Sequence, residues 1–164
     1  MASMKIHLKI MLDGLKKKAN ALTEILSICE NQRTVIESEL PLDGVREMVF
    51  GMNDEKQAAI HIVKSCDDMF EKMLKDIGHE LEAQQDMYKA EVKVLQENIR
   101  NVMDLDVKIR VTEEENNKLL DARREAELPK TQAAQTGLKP KVTMPTDSTK
   151  VLNAYKQGKT NYKG

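Results

Sequence analysis

The chain has 164 residues and a formal net charge of −1, with 32% charged, 40% hydrophobic and only 3% aromatic side chains. That length holds one domain and is short for two, and with three Tyr, two Phe and no Trp the core must be assembled from Leu, Ile, Val, Met and Ala. This palette fills the seam between helices and suits a thick sheet sandwich poorly.

The first predicted helix covers residues 3–39. Steps of four and three residues give Leu8, Leu12, Leu15, Ala19, Leu22, Leu26, Cys29, Arg33 and Ile36, apolar at every position but Arg33. This is the pattern of a helix packed along one seam. Pro41 ends it, because the residue before a proline is pushed out of the helical region. Asp43 is the expected N-cap of a second helix. Its seam runs Val45, Val49, Met52, Lys56, Ala59, Val63, Cys66, Phe70, Met73, Ile77, with Lys56 alone polar. So short a junction implies an antiparallel hairpin.

Gly78 and the polar stretch 82–86 mark the next turn. A third seam begins with Tyr88, Val92, Leu95, Ile99 and Val102, passes Leu105 or Asp106 to Ile109, and decays into Glu113, Glu114, Glu115, Asn116 and Asn117. That helix is expected to reach Leu128, where Pro129 stops it. The fold class is therefore all-α: a long antiparallel helical hairpin plus a third long helix, a coiled-coil-like bundle over residues 1–128.

Residues 129–164 carry seven Lys and one Asp, a net of +6 against −7 for the rest. Pro140, Pro145 and a Thr, Gln, Lys and Gly background give a linker composition, so a flexible basic tail is expected. It contains one apolar island, Val151, Leu152 and Tyr155, at helical spacing between Ser148 and Gly158. So short a segment, 148–157, does not hold a helix alone in water and would form one on docking. A basic tail on an acidic body can engage an acidic partner, fold back on the body, or simply be solvated.

No phosphate-cradling glycine loop is present. His79-Glu80 opens like a zinc-protease motif, but position 83 is Ala, and His7, His61 and His79 are scattered. Cys29 and Cys66 lie in apolar stripes and read as small buried hydrophobes of a reducing compartment. Asp67-Asp68 and the Glu113–Glu115 run read as ordinary helix-surface charge. No catalytic site, metal, cofactor or small-molecule substrate is expected, nor nucleic-acid binding, since the basic tail contains no Arg. No apolar run approaches the ~20 residues of a membrane span. Lys5, Lys9 and Asp13 also break up the N-terminal apolar residues, so no secretory signal is expected and the expected compartment is the cytoplasm.

The pattern resembles the FlgN/FliT-like flagellar export chaperones in their clostridial-type versions, over about residues 5–120. The matching elements are the junction Leu40-Pro41-Leu42-Asp43, the pair Glu55-Lys56, and Asp67-Asp68-Met69-Phe70-Glu71 against the family's Asp-x-Gly-Phe-Glu. Tyr88, Val92, Leu95-Gln96 and Ile99-Arg100 follow, then a Tyr-containing basic segment at 151–157. Met69 departs from the family's Gly. The resemblance implies a cytoplasmic helical chaperone. It would hold unassembled hook-filament junction or filament-cap subunits and deliver them to the type III export gate, so its partners would be those subunits and export-gate proteins.

Two candidate sites follow. The first two helices can satisfy each other, whereas the third seam is either partly open or the third side of a closed bundle. If open, Tyr88, Val92, Leu95, Ile99 and Val102 are the client contacts. Val151, Leu152 and Tyr155 would dock on the gate or act as a lid over the client groove. The alternative is a structural coiled-coil or scaffold protein, self-associating through the same seams, for instance as a homodimer.

Overall fold

Each apolar seam becomes one helix: α1 (Ala2–Ile36), α2 (Leu42–Ala83) and α3 (Lys89–Gln135). The structure, a computed structural model, describes the backbone of residues 2–135 and the side chains of residues 4–128. No strand occurs among the described residues, and the fold is an all-α, three-helix bundle. No helix among them is long and apolar enough to cross a membrane.

Local chemistry sets the helix ends. α1 stops at Ile36, well before Pro41, because Ser38 builds its own turn. The Ser38 hydroxyl donates to Val35 O (2.6 Å) and accepts from Leu40 N (3.3 Å), an alternative to the helical ladder that serine offers readily. Pro41, at φ −58° and ψ 150°, takes the N-cap position of α2, and its carbonyl accepts from Val45 N at 3.0 Å. Asp43, the expected cap, lies instead in the first turn, where a carboxylate complements the positive helix end. At the far end of α3 the expectation fails differently, for Pro129 lies inside the helix, which continues to Gln135. A proline removes only its own N–H from the ladder and strains one carbonyl, so it can kink a helix without ending it.

The pairings fix the topology. Lys18 meets Asp67 and Gln32 meets Asn53, so α1 and α2 run antiparallel. Arg33 meets Asn116 and Arg123 reaches the end of α1 at Ile36, so α1 and α3 run parallel. α1 packs against both other helices, while the α2 and α3 backbones scarcely approach each other.

A helix between two neighbours needs a wide buried face, and α1 has one. Leu8, Leu15, Leu22, Cys29 and Ile36 form its buried centre line. The expected flank of Leu12, Ala19, Leu26 and Arg33 is only half-buried. Arg33 bonds Asn116 and so turns that flank toward α3. The opposite flank, Met4, Met11, Lys18, Ile25 and Gln32, is almost completely buried. Gln32 donates from one amide nitrogen to Val49 O (3.2 Å) and Asn53 Oδ1 (2.8 Å), which turns this flank toward α2. Each large apolar side chain so buried contributes ~1.5–3 kcal/mol.

The third seam does not decay. Tyr88, Leu95, Val102, Asp106, Ile109, Glu113, Asn116 and Leu120 are all buried, at the same alternating spacing, with Val92 and Ile99 partly buried between them. Its polar members have partners. Lys56 donates to Glu113 at 2.8 Å with both side chains buried, so Lys56 is half of an ion pair rather than a flaw in the α2 seam. Asn116 donates to Cys29 O at 2.8 Å.

The second buried pair joins Lys18 to Asp67, each side chain 2% exposed. The charge of Asp106 acts on both of them. Asp67 is therefore part of the core rather than of a surface charge run, whereas Asp68 is exposed. Gly14 serves close packing: a Cβ there would meet Met69 Cε at 2.5 Å. Met69 thus rests over a glycine of α1.

Candidate functional site

α1 lies on one side of the α2–α3 pair, leaving an open groove of about 830 Å³ near the α2–α3 turn. Gln84 makes that turn, its N–H donating to Glu80 O (3.0 Å) and Leu81 O (3.2 Å). Tyr88 N then donates to Gln84 O (3.4 Å) and starts the next ladder. Leu74, Gly78 and Leu81 of α2 and Val92 and Gln96 of α3 line the groove. Leu74, beside Met73 of the α2 seam, is 46% exposed. At Gly78 a Cβ would meet nothing within 4 Å, so this wall is open space. Further along α3, Met103, Val107 and Val111 form an exposed apolar stripe, 39%, 47% and 49% accessible.

Charged groups frame the groove. Lys89, Lys93 and Arg100 stand on the α3 side and Glu82 and Asp86 near the turn, all exposed. None of the five forms an ion pair with a described residue.

The five candidate client contacts divide between core and groove. Tyr88, Leu95 and Val102 are core residues, 5%, 6% and 0% exposed, because the α3 seam is the face that packs on α1. In the closed bundle they offer no surface, and Ile99 packs against the same core. Val92 alone also lines the groove. The periodicity pointed to the seam that closes the bundle, whereas the groove depends on where α2 sits relative to α3. The exposed Leu74 gave no signal beyond being one more apolar residue beside a seam. Val151, Leu152 and Tyr155 lie outside the described residues.

The groups with chemical potential are muted. The Cys29 thiol is fully buried, and burial pushes its pKa up to about 12. Cys66 is raised by the same cause. Burial also drives Asp67 up to about 6, with Lys18 opposing and the negative charges of Asp106 and Asp68 reinforcing the rise. Burial lowers Lys18, against the support of Asp67. These two form a structural pair within the bundle, not a pair of groups opening on a cleft. No cluster of three metal-binding side chains occurs among the described residues. Compared with protein-family models, curated proteins and solved structures, the chain matches none.

Proposed function

We propose that the protein is a cytoplasmic chaperone of the flagellar type III export kind. It would bind an amphipathic helix of an unassembled hook-filament junction or filament-cap subunit and release it at the export gate. The observation that carries this reading is the open groove between α2 and α3, with the apolar Leu74, Leu81 and Val92 on its walls. Recognition by helix insertion requires such a groove. The sequence elements at 40–43, 55–56 and 67–71, which resemble the family, support the export role. On this reading Val151, Leu152 and Tyr155 serve the gate rather than the groove.

Titration calorimetry with purified junction and cap subunits tests the proposal. At least one should bind with a 1:1 stoichiometry, and Leu74→Glu should weaken it by about tenfold or more, as loss of a buried apolar contact at the centre of an interface does. Failure of every junction and cap subunit to bind would remove the chaperone reading. The second reading, a self-associating scaffold, draws on the exposed stripe Met103, Val107 and Val111. It requires a stable oligomer in sedimentation equilibrium that Val107→Glu dissolves.

A further inference from the structure

The groove walls differ in charge, and this difference describes the helix that fits. Lys89, Lys93 and Arg100 are four and seven residues apart, so they share one face of α3. They border the apolar strip formed by Leu74, Leu81 and Val92. Unpaired cations beside an apolar floor favour a visitor that brings carboxylates to them and disfavour one that brings lysines. Glu82 and Asp86 stand at the turn end, so the preference is strongest away from the turn, at Lys93 and Arg100.

We propose, resting on the reading of the groove as a helix site, that its occupant is a partner helix whose apolar stripe is flanked by acidic residues on the side facing α3. The protein's own tail fits less well. It is basic, with a net of +6 over residues 129–164, and so is mismatched to the α3 wall.

The test uses two fluorescent helical peptides of ~18 residues, about the groove length with a margin. They share one Leu stripe and differ only in carrying Glu or Lys along one flank. Both are titrated by anisotropy against the full chain, the triple variant Lys89→Glu/Lys93→Glu/Arg100→Glu, and Leu74→Glu. Circular dichroism checks that each variant is folded. The Glu-flanked peptide should bind the unmodified chain about tenfold more tightly at low salt, with the gap narrowing at high salt. The preference should invert in the triple variant, and Leu74→Glu should weaken both peptides.

Equal binding of the two peptides, still lost in Leu74→Glu, would overturn the acidic flank while leaving the groove as a helix site. Binding of neither would overturn both. A chain that sediments as a dimer, becoming monomeric in Leu74→Glu, would overturn the proposal in favour of a second copy as occupant.

Discussion

Lys18 shows how a single side chain can hold three helices in register. It is 2% exposed, hydrogen-bonded to Asp67 of α2 and drawn by the charge of Asp106 of α3. Removing one partner of a buried pair leaves the other charge uncompensated, at about 3–5 kcal/mol. Lys18→Met, which keeps the volume, should therefore lose about that much in urea unfolding. A change below about 1 kcal/mol, the scale of an exposed pair, would mean the layer is not buried in solution.

The same layer sets a pH dependence. The Asp67 carboxyl is raised from 3.8 to about 6, so between those values the folded chain keeps a proton that the unfolded chain has lost. Its stabilising contribution is full below the lower value and is lost as pH rises through the higher one. Compared with Asp67→Asn, the unmodified chain should lose on the order of 1–3 kcal/mol more stability between about pH 4 and pH 7. Parallel pH profiles for the two proteins would refute the shift.

At the scale of the element, the end of α1 depends on α3. The carbonyls at a helix C-terminus lack partners in their own helix, and Arg123 supplies them. It donates to Ile36 O (3.0 Å), Ser38 O (3.2 Å) and Leu40 O (2.8 Å). Arg123→Ala should cost about 1.5–3 kcal/mol, the range for hydrogen bonds to a charged donor. It should also speed amide exchange at residues 37–41 more than in the middle of α1. Uniform exchange along α1 in that variant would show that Ser38 holds the turn unaided.

The three helices could be read from the sequence, because their apolar spacing is regular. Where α2 gives way to α3 could not, since of the two turn markers Gly78 lies inside α2 and only the polar stretch 82–86 meets the turn. The better-buried flank of α1 could not, since Lys18 and Gln32 interrupt Met4, Met11 and Ile25. The far half of α3 was obscured in the same way by Asp106, Glu113 and Asn116. In both cases a polar residue on the seam signals a buried partner on another helix, and one helix's periodicity does not contain that partner.

For the whole molecule, the controlling fact is that α1 is the middle helix and α3 the longest. The groove follows from the first of these and was hidden in the sequence, because apolar spacing states which face is buried and not which neighbour is absent. The second governs the tail. Far along α3, Leu120 packs with Ile36, Val45 and Val49, and Arg123 bonds the end of α1. Arg124 pairs within its own helix, with Asp121 at 3.0 Å. A chain ending at Gln135 keeps all of these, so its melting temperature should stay within about 2 °C of the full chain's. A fall of more than about 4 °C would mean the removed residues contribute over ~1 kcal/mol to the bundle. Affinity for the acidic-flanked peptide should change by less than about twofold, because the basic tail is mismatched to the cationic α3 wall of the groove. Tighter binding after truncation would instead mean that Val151, Leu152 and Tyr155 cover the groove in the free protein, the occluding segment lowering the competent fraction by the factor observed.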